Sequence, residues 1–318
     1  MKRLIAVSLI MAAVVLAGGV LTPTHAQSPP NDLKPTFISP TPGLYVNGWP
    51  AFTVSYPKEW VEVPQTGPGG VFMAAGTHPD SYPSPVLAIA VFPAPLPLEE
   101  WAKLFMPVWV NIFTDIKVLS DKPSQSRDGT PAREVEFEFV PKYDLAGHSI
   151  KNAPKNCGLQ LMTKKDVAWV SVMLTDYPGK LGEDLRGVAS SLTFQPGREE
   201  PVQVPPDVRA FFDMGCADTV NGDVKTLMTH FSDRFRHSGA SKGFYEQIFR
   251  NDPASPIQMG VISCKATVTV FEPRVDKAYL DGFWLYKAKG DGTAVKMPMG
   301  FQQIINEHGQ WMWFGNQK

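Results

Sequence analysis

Asp233 and His237 stand four residues apart in the run Phe231–Gly239, FSDRFRHSG. On a helix that spacing puts both side chains on one face. A carboxylate that orients an imidazole is a general-base arrangement. The same run also reads as a solvated turn, because Ser, Asp, Arg and Gly all favour exposure. His230 lies seven residues before His237, but the stretch between them leaves the helical pattern, so no metal pair is expected. A second set of residues is aromatic. Trp284 with Tyr286, and Trp311 with Trp313, each share one strand face, since strand side chains alternate. These four are candidates to line an apolar ligand pocket. The plainer reading is packing between a sheet and its helices, and periodicity does not say which strand face looks inward.

The chain has three cysteines, Cys157, Cys216 and Cys264. There is no C-x-x-C, which removes a thioredoxin-type centre and a zinc knuckle. Cys216 and Cys264 are the candidate disulfide, and the odd count also admits buried free thiols. The chain lacks a Gly-x-Ser-x-Gly elbow, a His-Glu-x-x-His motif, a P-loop and an EF-hand loop. No cofactor and no metal are expected.

The elements that would position these residues fall into two groups. Lys2 and Arg3 precede the uncharged run Leu4–Leu21, and Thr24-His25-Ala26 offers small residues before a cut at Gln27. That is a secretory leader, residues 1–26, cleaved after Ala26. The mature protein is expected to be periplasmic or secreted, with no stable membrane span after cleavage. Residues 27–42 are polar and proline-rich, a tether. Net charge is −1, and without Lys2 and Arg3 it is 28 basic against 31 acidic residues, or −3. A balance that small gives no electrostatic reason for nucleic acid as a partner. A hydrophobic share of 43% with 19% charged residues is that of a globular chain.

Gln195–Pro206, QPGREEPVQVPP, divides the rest. Four prolines resist both helix and central strand, so it reads as a stiff linker. It should tolerate cutting, with each half expressible alone. Before it, residues 43–194 read mostly as strands, with helices at Leu98–Phe113 and Tyr177–Leu192. After it, residues 207–318 read as three helices and then strands at Met259–Phe271, Ala278–Lys287, Ala294–Asn306 and Gln310–Phe314. Asp223 and Ser241 are the caps of the second and third helices. Together these give an α+β fold in two domains.

Tyr56-Pro57-Lys58-Glu59-Trp60, Gly129-Thr130-Pro131-Ala132-Arg133-Glu134, the hairpin ending at Ala168-Trp169, and Ser190-Ser191-Leu192-Thr193-Phe194 resemble the PsbP-like family. The resemblance covers 43–194 and implies an antiparallel sheet flanked by helices, with a binding role. Phe231–Gly239, Lys242-Gly243-Phe244-Tyr245 and Gly309-Gln310-Trp311-Met312-Trp313 resemble the NTF2-like (cystatin-like, SnoaL-type) superfamily over 207–318. That resemblance implies a curved sheet wrapped on a helix as a cone with a pocket, in a superfamily that includes both binders and enzymes. The expected function is an exported, non-catalytic envelope protein. It would bind a small apolar ligand or a protein partner through the C-terminal pocket or the groove between the domains. Two alternatives stand beside it: an isomerase, dehydratase or hydrolase using His237 and Asp233, and a structural or assembly module, with the aromatics forming a homodimer face.

Overall fold

The computed structural model describes residues 43–62, 70–76, 85–93, 97–100, 110, 112–143, 149–166, 168–176, 182–237, 240–252, 255–289 and 294–317. The expected leader and tether, and the middle of the expected helix at 98–113, lie outside them. Among the described residues, strand accounts for 52% and helix for 20%. The α+β expectation is therefore corrected: among the described residues the protein is mostly β, built from several antiparallel sheets with few helices.

The largest sheet has seven strands: β3 (Val61–Glu62), β4 (Gly70–Ala75), β5 (Val86–Pro93), β6 (Phe113–Gln125), β7 (Pro131–Pro141), β8 (Asn156–Lys165) and β9 (Ala168–Asp176). Their order is β3-β4-β5-β9-β8-β7-β6, antiparallel throughout. A small sheet, β1 (Leu44–Asn47), β2 (Phe52–Ser55) and β10 (Thr193–Phe194), lies beside it. Helix α1 (Glu183–Ser190) leads into β10, and residues 177–181 of the helix expected at Tyr177–Leu192 lie outside the described residues. Some strands are long and polar, which hides their period in the sequence. β6 has 13 residues, where sequence patterning suggests only Asp115–Ser120. Its charges bond across the ladder: Arg133 Nε to Asp121 Oδ1 at 2.6 Å, Lys122 Nζ to Glu134 Oε1 at 2.9 Å. Such pairing stabilises a strand without giving it apolar alternation.

Beyond the linker come α2 (Pro206–Asn221), α3 (Val224–Thr229) and α4 (Lys242–Asn251), with the short pair β11 (Arg236–His237) and β12 (Ala240–Ser241). Gly222 closes α2 at φ 71°, a left-handed cap. Asp223 accepts from Thr226 N, and Ser241 from Phe244 N, as N-caps. The last sheet runs β13 (Val261–Pro273), β14 (Lys277–Ala288), β16 (Gln302–Glu307), β17 (Gln310–Gly315), with β15 (Ala294–Pro298) also on β14. The strand expected at Ala294–Asn306 breaks between β15 and β16, where Gly300 takes φ +69°.

Two cores result. Phe52, Val54, Phe72, Leu87, Ile89, Leu159, Val170, Val172 and Leu192 are buried in the first. The second holds Val208, Phe211, Phe212, Leu227, Met228, Phe235, Val268, Leu280, Ile304 and Trp313. Phe283 and Phe301, from the second half, pack against the first core.

Candidate functional site

One set of contacts between the halves surrounds the turn Asn47–Pro50, which joins β1 to β2. Gly48 presses so close to β14 that an added Cβ would stand 2.6 Å from the Cβ of Asp281. Only glycine permits this approach. Gly48 N donates to Asp281 Oδ2 at 3.1 Å, and Gly282 N to Asp281 Oδ1 at 2.7 Å. Thr269 Oγ1 donates to Gly48 O at 3.2 Å, and the Trp49 ring lies 5.0 Å from that of Phe283. Within the turn, Tyr45 Oη donates to Asn47 Oδ1 at 2.7 Å and Asn47 Nδ2 to Pro50 O at 2.9 Å.

Asp281 is 3% exposed. Burial pushes its carboxyl up to about 7, against the opposing pull of the Gly282, Gly48 and Trp49 N–H groups. Burial, then the charges of Asp281 and Glu62, raise the Tyr45 hydroxyl well above its ordinary value.

The linker is fastened along this joint. Gln195 N donates to Ala51 O at 2.8 Å, and Ala51 N to Glu199 Oε1 at 3.1 Å. Val202 N donates to Val268 O of β13 at 2.9 Å, and Val204 is buried in the second core. Between turn, linker and β13 lies a groove of ≈ 340 Å³. Val46, Val202 and Val270 give it an apolar lining; Arg198 and Glu200 bring opposite charges; Asn47, Gly48 and Thr269 form the remaining wall.

The sequence-derived candidates lie elsewhere. Asp233 is on the surface, its side chain 97% exposed, and it accepts from Lys242 Nζ at 2.8 Å, which lowers its carboxyl. His237 sits against Phe235 and Tyr245, with ring centroids 6.4 and 6.1 Å away. Its Nδ1 is buried without a hydrogen-bond partner, and burial lowers the imidazole to about 4. The structure does not bring Asp233 and His237 together. A different histidine does carry a carboxylate: His230 Nε2 and Asp218 Oδ2 are 2.7 Å apart. They tie the end of α2 to the C-cap of α3, at a separation of twelve residues that no helical pattern marks.

Trp313 packs on Phe211 and Phe212 of α2 at 5.1 and 5.6 Å, Trp284 stands 5.8 Å from Trp313, and Tyr286 stacks on Trp284 at 6.2 Å. Trp311 Nε1 donates to Asp207 Oδ2 at 2.7 Å. These aromatics fill the space between α2 and its sheet, and none lines the groove. Cys216 of α2 and Cys264 of β13 are joined as a disulfide, and Cys157 is a buried free thiol. Among the described residues, no three His, Cys, Asp or Glu side chains gather as a metal site. The groove residues carry no motif; only the composition of Gln195–Pro206 pointed towards the joint.

No family model matches the chain, and no curated protein matches it in sequence. Several solved structures are similar. Cyanobacterial PsbP (CyanoP) from Synechocystis sp. PCC 6803 is 14% identical over 49% of this chain and 94% of its own, with a TM-score of 0.37. A protein from Bacteroides thetaiotaomicron VPI-5482 is 11% identical over 82% of this chain and 85% of its own, with a TM-score of 0.32. Bdellovibrio bacteriovorus Bd1075 is 8% identical over 81% of this chain and 91% of its own, with a TM-score of 0.26. These values describe partial likeness of chain trace and carry nothing about activity.

Proposed function

We propose that this is an exported, non-catalytic binding protein that holds a small apolar molecule in the groove where its two halves meet. The observation that carries the reading is the groove itself, ≈ 340 Å³ with three valines in its lining and a charge of each sign. Its volume falls within the roughly 300–1,000 Å³ of small-molecule sites. Its walls are fixed by the Gly48–Asp281 and Gly48–Thr269 bonds, so little ordering cost accompanies binding. The leader Met1–Ala26 supports export.

Native mass spectrometry of the protein recovered from its exporting host should show a retained apolar molecule. A thermal-shift panel of apolar compounds should raise Tm. Val270→Trp, which fills the groove, should abolish both effects while unliganded Tm stays within a few degrees. An envelope protein bound instead, through a surface that Val270→Trp leaves intact, would overturn the groove reading, as would a panel with no shift.

A further inference from the structure

The linker lends the groove Arg198, Glu200 and Val202, every second residue. The residues between them turn away: Glu199 accepts from Ala51 N at 3.1 Å, and Pro201 lines a separate groove against α2. Alternation of that kind is the habit of extended chain, whose same-side residues lie roughly 6.5 Å apart. Arg198, Glu200 and Val202 therefore stand in a row along one wall. The polar side chains of the turn and of β13 are already engaged. Asn47 bonds Tyr45 and Pro50, and Thr269 bonds Gly48. Arg198 and Glu200 are not so engaged. Both are exposed, and they do not pair with each other. Arg198 Nη1 makes one long bond, 3.4 Å to Gln195 Oε1, and Glu200 makes no hydrogen bond or ion pair among the described residues. A positive and a negative group thus sit beside three valines with their capacity unspent.

We propose that the ligand of this groove is a free apolar α-amino acid. Arg198 takes its carboxylate, Glu200 takes its ammonium, and Val46, Val202 and Val270 receive its side chain. This assignment rests on the binding function proposed above and narrows it. A guanidinium fork matches a carboxylate with two parallel bonds, and an ammonium brings donors to an acceptor-only carboxylate. An uncharged apolar body laid over the groove would take water from both groups and give neither a partner, which costs free energy. A ligand with a single charge leaves one of the two in that state. A zwitterion satisfies both. In an α-amino acid the two charges lie at one end of an apolar body, as Arg198 and Glu200 lie at one end of the row that Val202 continues.

Isothermal titration of the mature protein with leucine and three relatives of the same apolar body tests this. Isocaproate lacks the amine, isoamylamine lacks the carboxylate, and isocaproamide carries neither charge. Leucine should bind at least fivefold more tightly than each relative. In Arg198→Gln, leucine and isoamylamine should bind alike; in Glu200→Gln, leucine and isocaproate should. Both side chains are exposed, so unliganded Tm should hold in each variant. Val270→Trp should abolish leucine binding. Any relative that binds as tightly as leucine would overturn the amino-acid assignment and leave the apolar groove standing. Leucine affinity unchanged in either charge-removing variant would overturn the assignment too, as would dileucine binding more tightly than leucine. No binding by any of these compounds at millimolar concentration would overturn the assignment and the groove together.

Discussion

Asp281 illustrates how one side chain can set the behaviour of a joint. Its carboxyl titrates near 7 in the fold, against an ordinary value of 3.8, because burial favours the neutral form. Between about 4 and 7 the folded chain therefore keeps a proton that the unfolded chain has released. The Asp281 contribution to stability should fall as pH rises through that window and level off above it, by roughly 4 kcal/mol at most, taking about 1.4 kcal/mol per pKa unit. His237, lowered to about 4 by burial, contributes the opposite slope between about 4 and 6.5, so the Asp281 part is read as the difference in urea midpoint between the natural chain and Asp281→Asn, which cannot titrate. That difference should shift against the natural chain from pH 5 to 8, and a difference constant with pH would remove Asp281 as a cause of pH dependence. Gly48→Ala should cost about 1–3 kcal/mol, since its Cβ has no room beside Asp281. None of this was legible beforehand. Leu280-Asp281-Gly282 reads as an ordinary stretch of strand, and its partner Gly48 lies 233 positions away.

The secondary-structure elements were legible where local chemistry decides them. Gly222, Asp223 and Ser241 mark helix ends by capping alone, and the structure uses all three. Polar edge strands were not. β6 has Pro123, charged residues and two register shifts against β7, features that discourage pairing with another chain while hiding its strand period. The aromatic strands could be placed but not oriented, because alternation says which residues share a face and not which face the helix covers. The Cys216–Cys264 bond clamps α2 to β13 across 48 positions. Closing a loop of that length restricts the unfolded chain and contributes about 4 kcal/mol on the chain-entropy model. Reduction with dithiothreitol should lower the urea midpoint accordingly, and Cys216→Ser with Cys264→Ser should reproduce the loss. A midpoint unmoved by reductant would show that the bond adds nothing.

At the scale of the whole molecule, the proline-rich stretch Gln195–Pro206 is bonded to both halves rather than suspended between them. Phe283 and Phe301 lend apolar surface to the first core, and Lys296 Nζ reaches Asp166 Oδ2 at 2.7 Å. The intact chain should therefore unfold in one transition followed by tryptophan fluorescence and circular dichroism alike. Gly48→Arg, which pries the turn from β14, should split it into two. Coincident transitions in that variant would mean that the joint contributes little to cooperativity. Composition marks the proline-rich stretch because prolines are visible in any sequence. It could not find the joint, which depends on a glycine and an aspartate meeting through space.

Gly48 and Asp281 also constrain how such a chain can change over generations. A recombination event that exchanged one half for a counterpart would separate the two. Any newcomer with a side chain at position 48 would collide with the carboxylate, and any newcomer without an acceptor at 281 would strand the Gly48 N–H. Inheritance of the two halves is thereby coupled, and a chimera built for engineering must carry both residues across together.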